Sequence, residues 1–211
     1  QAARDMDNVI EGLLLLAHMR RKSLVLVPLD MGALVQDSLR RLSHLITQRS
    51  ATIRQPESWP AVLSFAQGVV EIWVNYLSNA VKYGGERPLI ELGWQEIRAD
   101  SAVIAAGAES AAGAADYVCQ PAYRISDEDM LISYRQPMGC FWVKDHGTGI
   151  AEAKILALFE DAAREGASPL APKREGLEGH GLGLPIVKHI VEKLGGSVYV
   201  RSEIGEGSAF A

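Results

Sequence analysis

Three stretches of the chain combine side chains and glycines in patterns that could serve chemistry. Asp145-His146-Gly147-Thr148-Gly149-Ile150 sets a carboxylate at the end of an apolar run, followed by two glycines. Aspartate is depleted in strands and costly to bury unpaired, so here it is either a turn-former or an acceptor for a ligand's amino group. Gly147 and Gly149 would let a flat ligand approach the backbone closely. Alone, the pattern is weak, because a simple strand-to-helix turn uses the same residues. Gly179-His180-Gly181-Leu182-Gly183-Leu184-Pro185 leads straight into a helical pattern. Glycine-rich backbone at a helix N-terminus presents free N–H groups and the positive dipole end, which suits phosphate. Neither the P-loop spacing nor a dinucleotide G-x-G-x-x-G can be written there, and a flexible hinge would look the same.

The third stretch is a helix from about Ala66 to Tyr83. Val69, Ile72, Trp73, Tyr76, Leu77 and Ala80 form one apolar stripe, while Glu71, Asn75, Asn79 and Lys82 form a polar one. Asparagine is a poor interior helix former, so two of them one turn apart suggest something polar against this face. A solvated face with two tolerated asparagines is the alternative for a helix standing alone.

Other elements must hold these stretches in place. Residues 5–22 carry apolar side chains at i, i+3, i+4, i+7 and predict an amphipathic helix. Leu24 to Pro28 reads as a connector. Asp30 can cap a second helix whose buried stripe is Leu34, Val35, Leu39, Leu42, Leu45 and Ile46. Strands are predicted near Thr52-Ile53, over Leu89–Ile97 and over Gly139–Lys144, and helices over Ala151–Glu160 and Pro185–Leu194. A hairpin turning at Gly205-Glu206-Gly207 follows. Between the strands, residues 98–138 include the Ala/Gly-rich run 101–115 and read as an inserted loop that decorates the core. Residues 161–178, polar and Pro-containing, resemble a lid, although solvated loops share that composition.

Composition narrows the function classes. The chain has 211 residues, 48% apolar and 22% charged, which is neither disordered nor membrane-like. Its formal net charge is −5, the wrong sign for a protein that lives on nucleic acid. Cys119 and Cys140 lack C-x-x-C spacing, which fits a reducing, cytoplasmic setting and argues against a disulfide scaffold or structural zinc. Gln1-Ala2-Ala3-Arg4 has neither an initiator Met nor a signal-peptide pattern, so a fragment of a longer protein is expected.

In order, the chain reads N-Y-L-S-N-A-V-K-Y (75–83), D-H-G-T-G-I (145–150), L-F-E (158–160), G-H-G-L-G-L-P-I-V-K (179–188) and G-E-G-S-A-F (205–210). Five boxes in this order resemble the ATP-binding catalytic domain of bacterial sensor histidine kinases. The resemblance covers about residues 28–211, and residues 1–27 look like the second helix of the preceding dimerisation and phosphoacceptor hairpin with its connector. The fold it implies is a two-layer α/β sandwich: a mixed sheet covered on one face by helices, with the N-terminal helix outside. It implies ATP and Mg²⁺ as ligands, with Asn79 holding the metal and Asn75 near phosphates and metal. Lys82 and Tyr83 would meet the phosphate or ribose end. Asp145 would accept from the adenine amino group, with Gly147, Gly149 and Ile150 shaping the pocket and Ser208 beneath the base. Gly179, His180, Gly181, Leu182, Gly183 and Leu184 would supply the phosphate-side loop. The implied partners are a response-regulator receiver domain and, through the helical hairpin, a second copy.

The chain departs from that pattern in four places. Phe159 lacks the usual second aromatic, Ser64-Phe65 stands where Gly-Asp is common, and the 98–138 insertion is long. No His-Glu-x-x-x-Pro phosphoacceptor box exists, because His18 precedes Met19 and His44 precedes Leu45. His146, His180 and His189 sit in or beside glycine boxes and receive no catalytic role. The implied activity is phosphoryl transfer from ATP to a histidine outside this chain, then to a response-regulator aspartate; the chain alone would not phosphorylate itself. ATPases related to gyrase and Hsp90 share the fold but place a glutamate where this chain has Asn75, which cannot take a proton. A degenerate kinase acting as a nucleotide-gated scaffold is the remaining alternative.

Overall fold

The computed structural model describes residues 25–97, 123–124, 138–159 and 183–211. The amphipathic pattern of residues 5–22, the lid-like stretch 161–178 and most of the insertion lie outside them.

Chain entry is through β1 (Val27–Asp30), which leads directly into α1 (Met31–Arg41). The Asp30 side chain accepts from Ala33 N at 3.1 Å, capping α1 as its position before the apolar stripe predicts. The stripe does not form one helix: α1 ends at Leu42 and α2 (Ser43–Gln48) restarts after it. Nor is Leu24–Pro28 a plain connector. Val27 and Pro28 lie in β1, which pairs antiparallel with β3 (Ala61–Ser64) in a separate two-stranded sheet.

The main sheet has six strands in the order β2-β4-β6-β8-β7-β5. These are β2 (Thr52–Arg54), β4 (Leu89–Ile97), β5 (Tyr123–Arg124), β6 (Met138–Asp145), β7 (Tyr199–Glu203) and β8 (Gly207–Phe210). Only β2 and β4 run parallel; the other neighbours are antiparallel, so the sheet is mixed. β5 corrects the reading of 98–138 as decoration only, because two residues of that insertion form an edge strand against β7. The propensities of so short a segment, deep in a polar and alanine-rich stretch, give no strand signal.

The helices pack on one face of this sheet. α3 (Ala66–Tyr83) fills the predicted span to the residue, but it is buried around much more of its circumference than one stripe. Val70, Val74 and Val81 are buried as well as Val69, Trp73, Tyr76, Leu77 and Ala80. They meet Ile90, Leu92 and Val143 of the sheet, Val35 of α1, and Val187 of α5 (Gly183–Lys193) in one continuous core. Trp73 anchors the near end: its Nε1 lies 3.2 Å from Met31 Sδ, and Trp59 stands edge-on to it at 5.5 Å. At the other side, Phe210 packs between Tyr76 (5.6 Å) and Phe159 (6.5 Å). Phe159 closes a 3₁₀ turn (Leu156–Phe159) that follows α4 (Glu152–Ile155), so the predicted 151–160 helix is tighter and shorter. α5 begins two residues before Pro185 and ends at Lys193, and Gly195, with φ +81°, lets the chain turn back to β7.

Cys140 is disulfide-bonded, against the expectation of two free thiols; the chain's other cysteine, Cys119, lies outside the described residues. Spacing along the chain carries no information about proximity across a sheet, which is why the sequence did not disclose it. No helix among the described residues is long and apolar enough to cross a membrane.

Candidate functional site

Asp145 ends β6 in the middle of the sheet, paired on one side with Ile90 of β4 and on the other with Ser208 of β8. Only 5% of its surface is exposed. One carboxylate oxygen accepts from Gly147 N at 2.8 Å. Burial pushes the carboxyl pKa above its ordinary value, and the hydrogen bonds from the backbone at Gly147 and Ser208 only partly offset that.

The loop after Asp145 is wedged between α3 and the β7–β8 turn. A Cβ on Gly147 would run into the Tyr83 carbonyl and come within 2.8 Å of Gly84 Cα, so the C-terminal end of α3 lies directly on this loop. Gly149 has φ +68° and faces the Glu203 carbonyl, a conformation and an approach that only glycine meets without strain. Thr148 O accepts from Gly205 N at 2.8 Å, tying the same loop to the turn.

Ser202 is a residue that the sequence reading missed. Its hydroxyl receives Ile150 N at 2.7 Å, donates to Gly207 O at 2.9 Å and touches Ser208 Oγ at 2.9 Å. It therefore fixes both the glycine loop and the serine beside Asp145. Its signal was available: Ser202 continues the alternation of buried Val198, just before β7, and Val200 within it, where a polar residue needs an explanation.

Asn75 and Asn79 lie on α3, half-buried, with Lys82 further along and Tyr83 41% exposed at the helix end. Asn75 Nδ2 donates to Glu71 O at 2.9 Å and to Glu71 Oε1 at 3.0 Å. Its Oδ1 points to the start of α5, where a Cβ on Gly183 would collide with it. Asn75 and Tyr83 are eight residues apart, about 12 Å along the helix axis.

The structure thus brings Tyr83, Asp145, Gly147, Gly149, Ile150 and Ser208 together at one end of α3, and Asn75 and Gly183 together about two turns away. Leu184 packs against the core behind Gly183. Gly179, His180, Gly181 and Leu182 lie outside the described residues. His146 points away from this knot: its Nε2 lies 3.1 Å from Glu91 Oε2, and Arg54 Nη1 lies 3.3 Å from Glu91 Oε1. Burial alone would raise the Glu91 pKa, but His146, Arg54 and Lys144 together bring it below the ordinary value. Among the described residues no cluster of His, Cys, Asp or Glu could hold a metal ion.

A two-layer sandwich with a buried aspartate ending a central strand, glycines against the tip of one helix and paired asparagines on that helix defines a class. Residues 66–211 match the family described as histidine kinase-, DNA gyrase B- and HSP90-like ATPase, and the chain belongs to that family. The curated proteins it resembles include a regulatory histidine kinase, a cyanobacterial phytochrome and a bacterial sensor protein. It is 26% identical over 216 residues, 99% of this chain, to the methanogenesis regulatory histidine kinase FilI of Methanothrix harundinacea, but covers 18% of that protein. It is 41% identical over 69 residues, 33% of this chain and 11% of that protein, to the sensor protein SrrB of Staphylococcus aureus. The chain thus spans under a fifth of these two relatives. Among solved structures, full-length ShkA in complex with AMPPNP matches 99% of this chain and 35% of its own, with TM-score 0.62 and 21% identity. The mycobacterial sensor histidine kinase MprB matches 88% of this chain and 94% of its own, with TM-score 0.56 and 20% identity. At those identities the two structures speak for the fold alone.

Proposed function

We propose that this chain binds Mg·ATP between the end of α3, the Asp145 loop and the start of α5, and presents the γ-phosphoryl group to a histidine of the longer protein. The observation that carries the reading is that α3 has buried polar groups, Asp145 and Ser208, beside the loop at its C-terminal end and two amides, Asn75 and Asn79, along its length. Asp145, buried and with one carboxylate oxygen engaged by Gly147 N, has its other oxygen to offer as an acceptor for an exocyclic amine. Gly147 and Gly149 serve the site less directly than a base-accommodating gap would: they let the loop lie against the end of α3 and the β7–β8 turn, which holds Asp145 in place.

The residues also fit magnesium. Asn75 turns its oxygen away from Glu71, and Asn79 offers a half-buried amide oxygen on the same helix. Magnesium keeps several waters and is usually held by few protein oxygens together with phosphates, so a site without clustered carboxylates suits it. Bound there, it would neutralise charge on the transferring phosphates. In the transfer, the bond from the γ-phosphorus to the β–γ bridging oxygen breaks with its electron pair leaving on ADP, and a bond to the imidazole nitrogen forms. Such chemistry asks mainly for position and charge neutralisation, the roles assigned to Asn79, Asn75, Lys82 and the α5 N-terminal backbone. Residues 1–27 as part of a dimerising phosphoacceptor hairpin, and a response-regulator aspartate as the onward acceptor, complete the proposal.

Calorimetric titration of the 211-residue chain tests it. ATP in excess MgCl₂ should bind, and Asn79→Ala should remove most of the magnesium-dependent gain, about ten-fold or more. A folded chain that ignores Mg·ATP up to millimolar concentration would overturn the reading in favour of a scaffold. Steady ATP hydrolysis that disappears in Asn75→Ala would favour the water-using ATPases of the family.

A further inference from the structure

We infer that Glu71 is a positioning residue for the site: it fixes the amide of Asn75 so that its oxygen, not its nitrogen, faces the bound metal and phosphates. This rests on the nucleotide reading above. Glu71 is 9% exposed, one of four polar or charged residues buried among those described, and it lies one turn before Asn75 on α3. An amide side chain can turn over with almost no change of shape, exchanging a donor for an acceptor. At Asn75 both hydrogens of Nδ2 have acceptors, Glu71 O at 2.9 Å and Glu71 Oε1 at 3.0 Å. In the flipped state Oδ1 would face two oxygens with no hydrogen between them. The same flip would turn NH₂ toward the start of α5, the side from which a cation and phosphates would be met.

The backbone carbonyl is present whatever residue occupies position 71, so the side chain supplies the second half of the lock. An apolar residue would leave one acceptor, and the flipped amide would become accessible. A glutamine can keep a carbonyl oxygen there but can also turn its own amide and donate to a flipped Asn75 oxygen, so the lock should weaken, though less than with an apolar residue. Glu71 therefore acts on the metal without touching it, by selecting which face of another side chain is offered.

The test compares the ATP affinity of the whole 211-residue chain in excess MgCl₂ with that in EDTA. Glu71→Met should weaken Mg·ATP about five-fold while leaving metal-free ATP unchanged, and Glu71→Gln, able to accept or to donate, should lose less than Glu71→Met in magnesium and nothing in EDTA. An equal loss in both buffers, or an undiminished magnesium gain in Glu71→Met, would overturn the inference. A parent that binds ATP without any magnesium gain would instead sink the metal assignment, and this inference with it. Thermal unfolding without nucleotide gives an independent arm should Glu71→Met not fold. Asn75→Asp should lower the midpoint when Glu71 is present, because oxygens then face each other at about 3.0 Å. The loss should largely vanish in the Glu71→Gln background, where an amide can donate. An equal loss in both backgrounds would overturn the inference.

Discussion

At Asp145 the fold favours the protonated carboxyl, because burial disfavours charge more than the neighbouring amides restore it. A carboxyl whose folded pKa is raised contributes its stability below the unfolded pKa, near 4, and loses it as pH rises through the folded value. The ionised aspartate is therefore a cost at neutral pH. Asp145→Asn keeps an oxygen for Gly147 N and removes the charge. Its melting temperature should exceed the parent's at pH 8, with the gap closing as pH falls through the carboxylate range. The same variant should bind ATP at least about ten-fold more weakly, since a hydrogen bond to a charged acceptor is lost. A melting advantage that grows toward acid would contradict the electrostatics. Asp145 was legible from sequence because a carboxylate ending an apolar strand is anomalous within a few residues. Ser202 was not singled out and Glu71 stood only as one member of the polar stripe, because their meaning lies in which atoms they reach: 2.7 Å to Ile150 N for one, 3.0 Å to Asn75 Nδ2 for the other.

Elements with long, repeated patterns were read well, and those made by distant pairing were not. The eighteen residues of α3 repeat their period enough times to fix both ends. β1 and β3 have four residues each, β1 contains a proline, and each exists because the other lies alongside it, more than thirty residues away in sequence. The break at Leu42 likewise depends on how α1 and α2 seat on α3, which periodicity cannot register. The β7–β8 turn is locked to the Asp145 loop by Gly149, where φ is +68° and the Glu203 carbonyl is in the way of any side chain. Gly149→Ala should cost at least about 2 kcal/mol in urea denaturation, combining left-handed strain with displacement of the turn. Parent-like stability would mean that the loop is not held as described.

Across the whole molecule, α3 is the element on which everything else leans: the sheet, α1 and α5 all contact it. Leu77, fully buried at its centre, touches no ligand in the proposed site. Leu77→Ala should destabilise the chain by about 2–5 kcal/mol through the cavity left behind, with one cooperative transition rather than two. Loss of only one sublayer, seen as a biphasic curve, would show that the helices and sheet are separable. The two-layer architecture was legible as a family resemblance, whereas the edge strand β5 and the bridged Cys140 were not, since neither leaves a local pattern in the residues around it.

The position of β8 has a consequence for synthesis. It sits in the interior of the sheet, between β6 and β7, with all four residues buried, yet it is the most C-terminal strand. On the ribosome, the β6 edge and the apolar surface awaiting Phe210 stay open until residues 207–210 have cleared the exit tunnel. The β6 edge therefore stays unpaired from the emergence of Asp145 until that of residues 207–210, an interval in which the nascent chain is a natural client for holding chaperones.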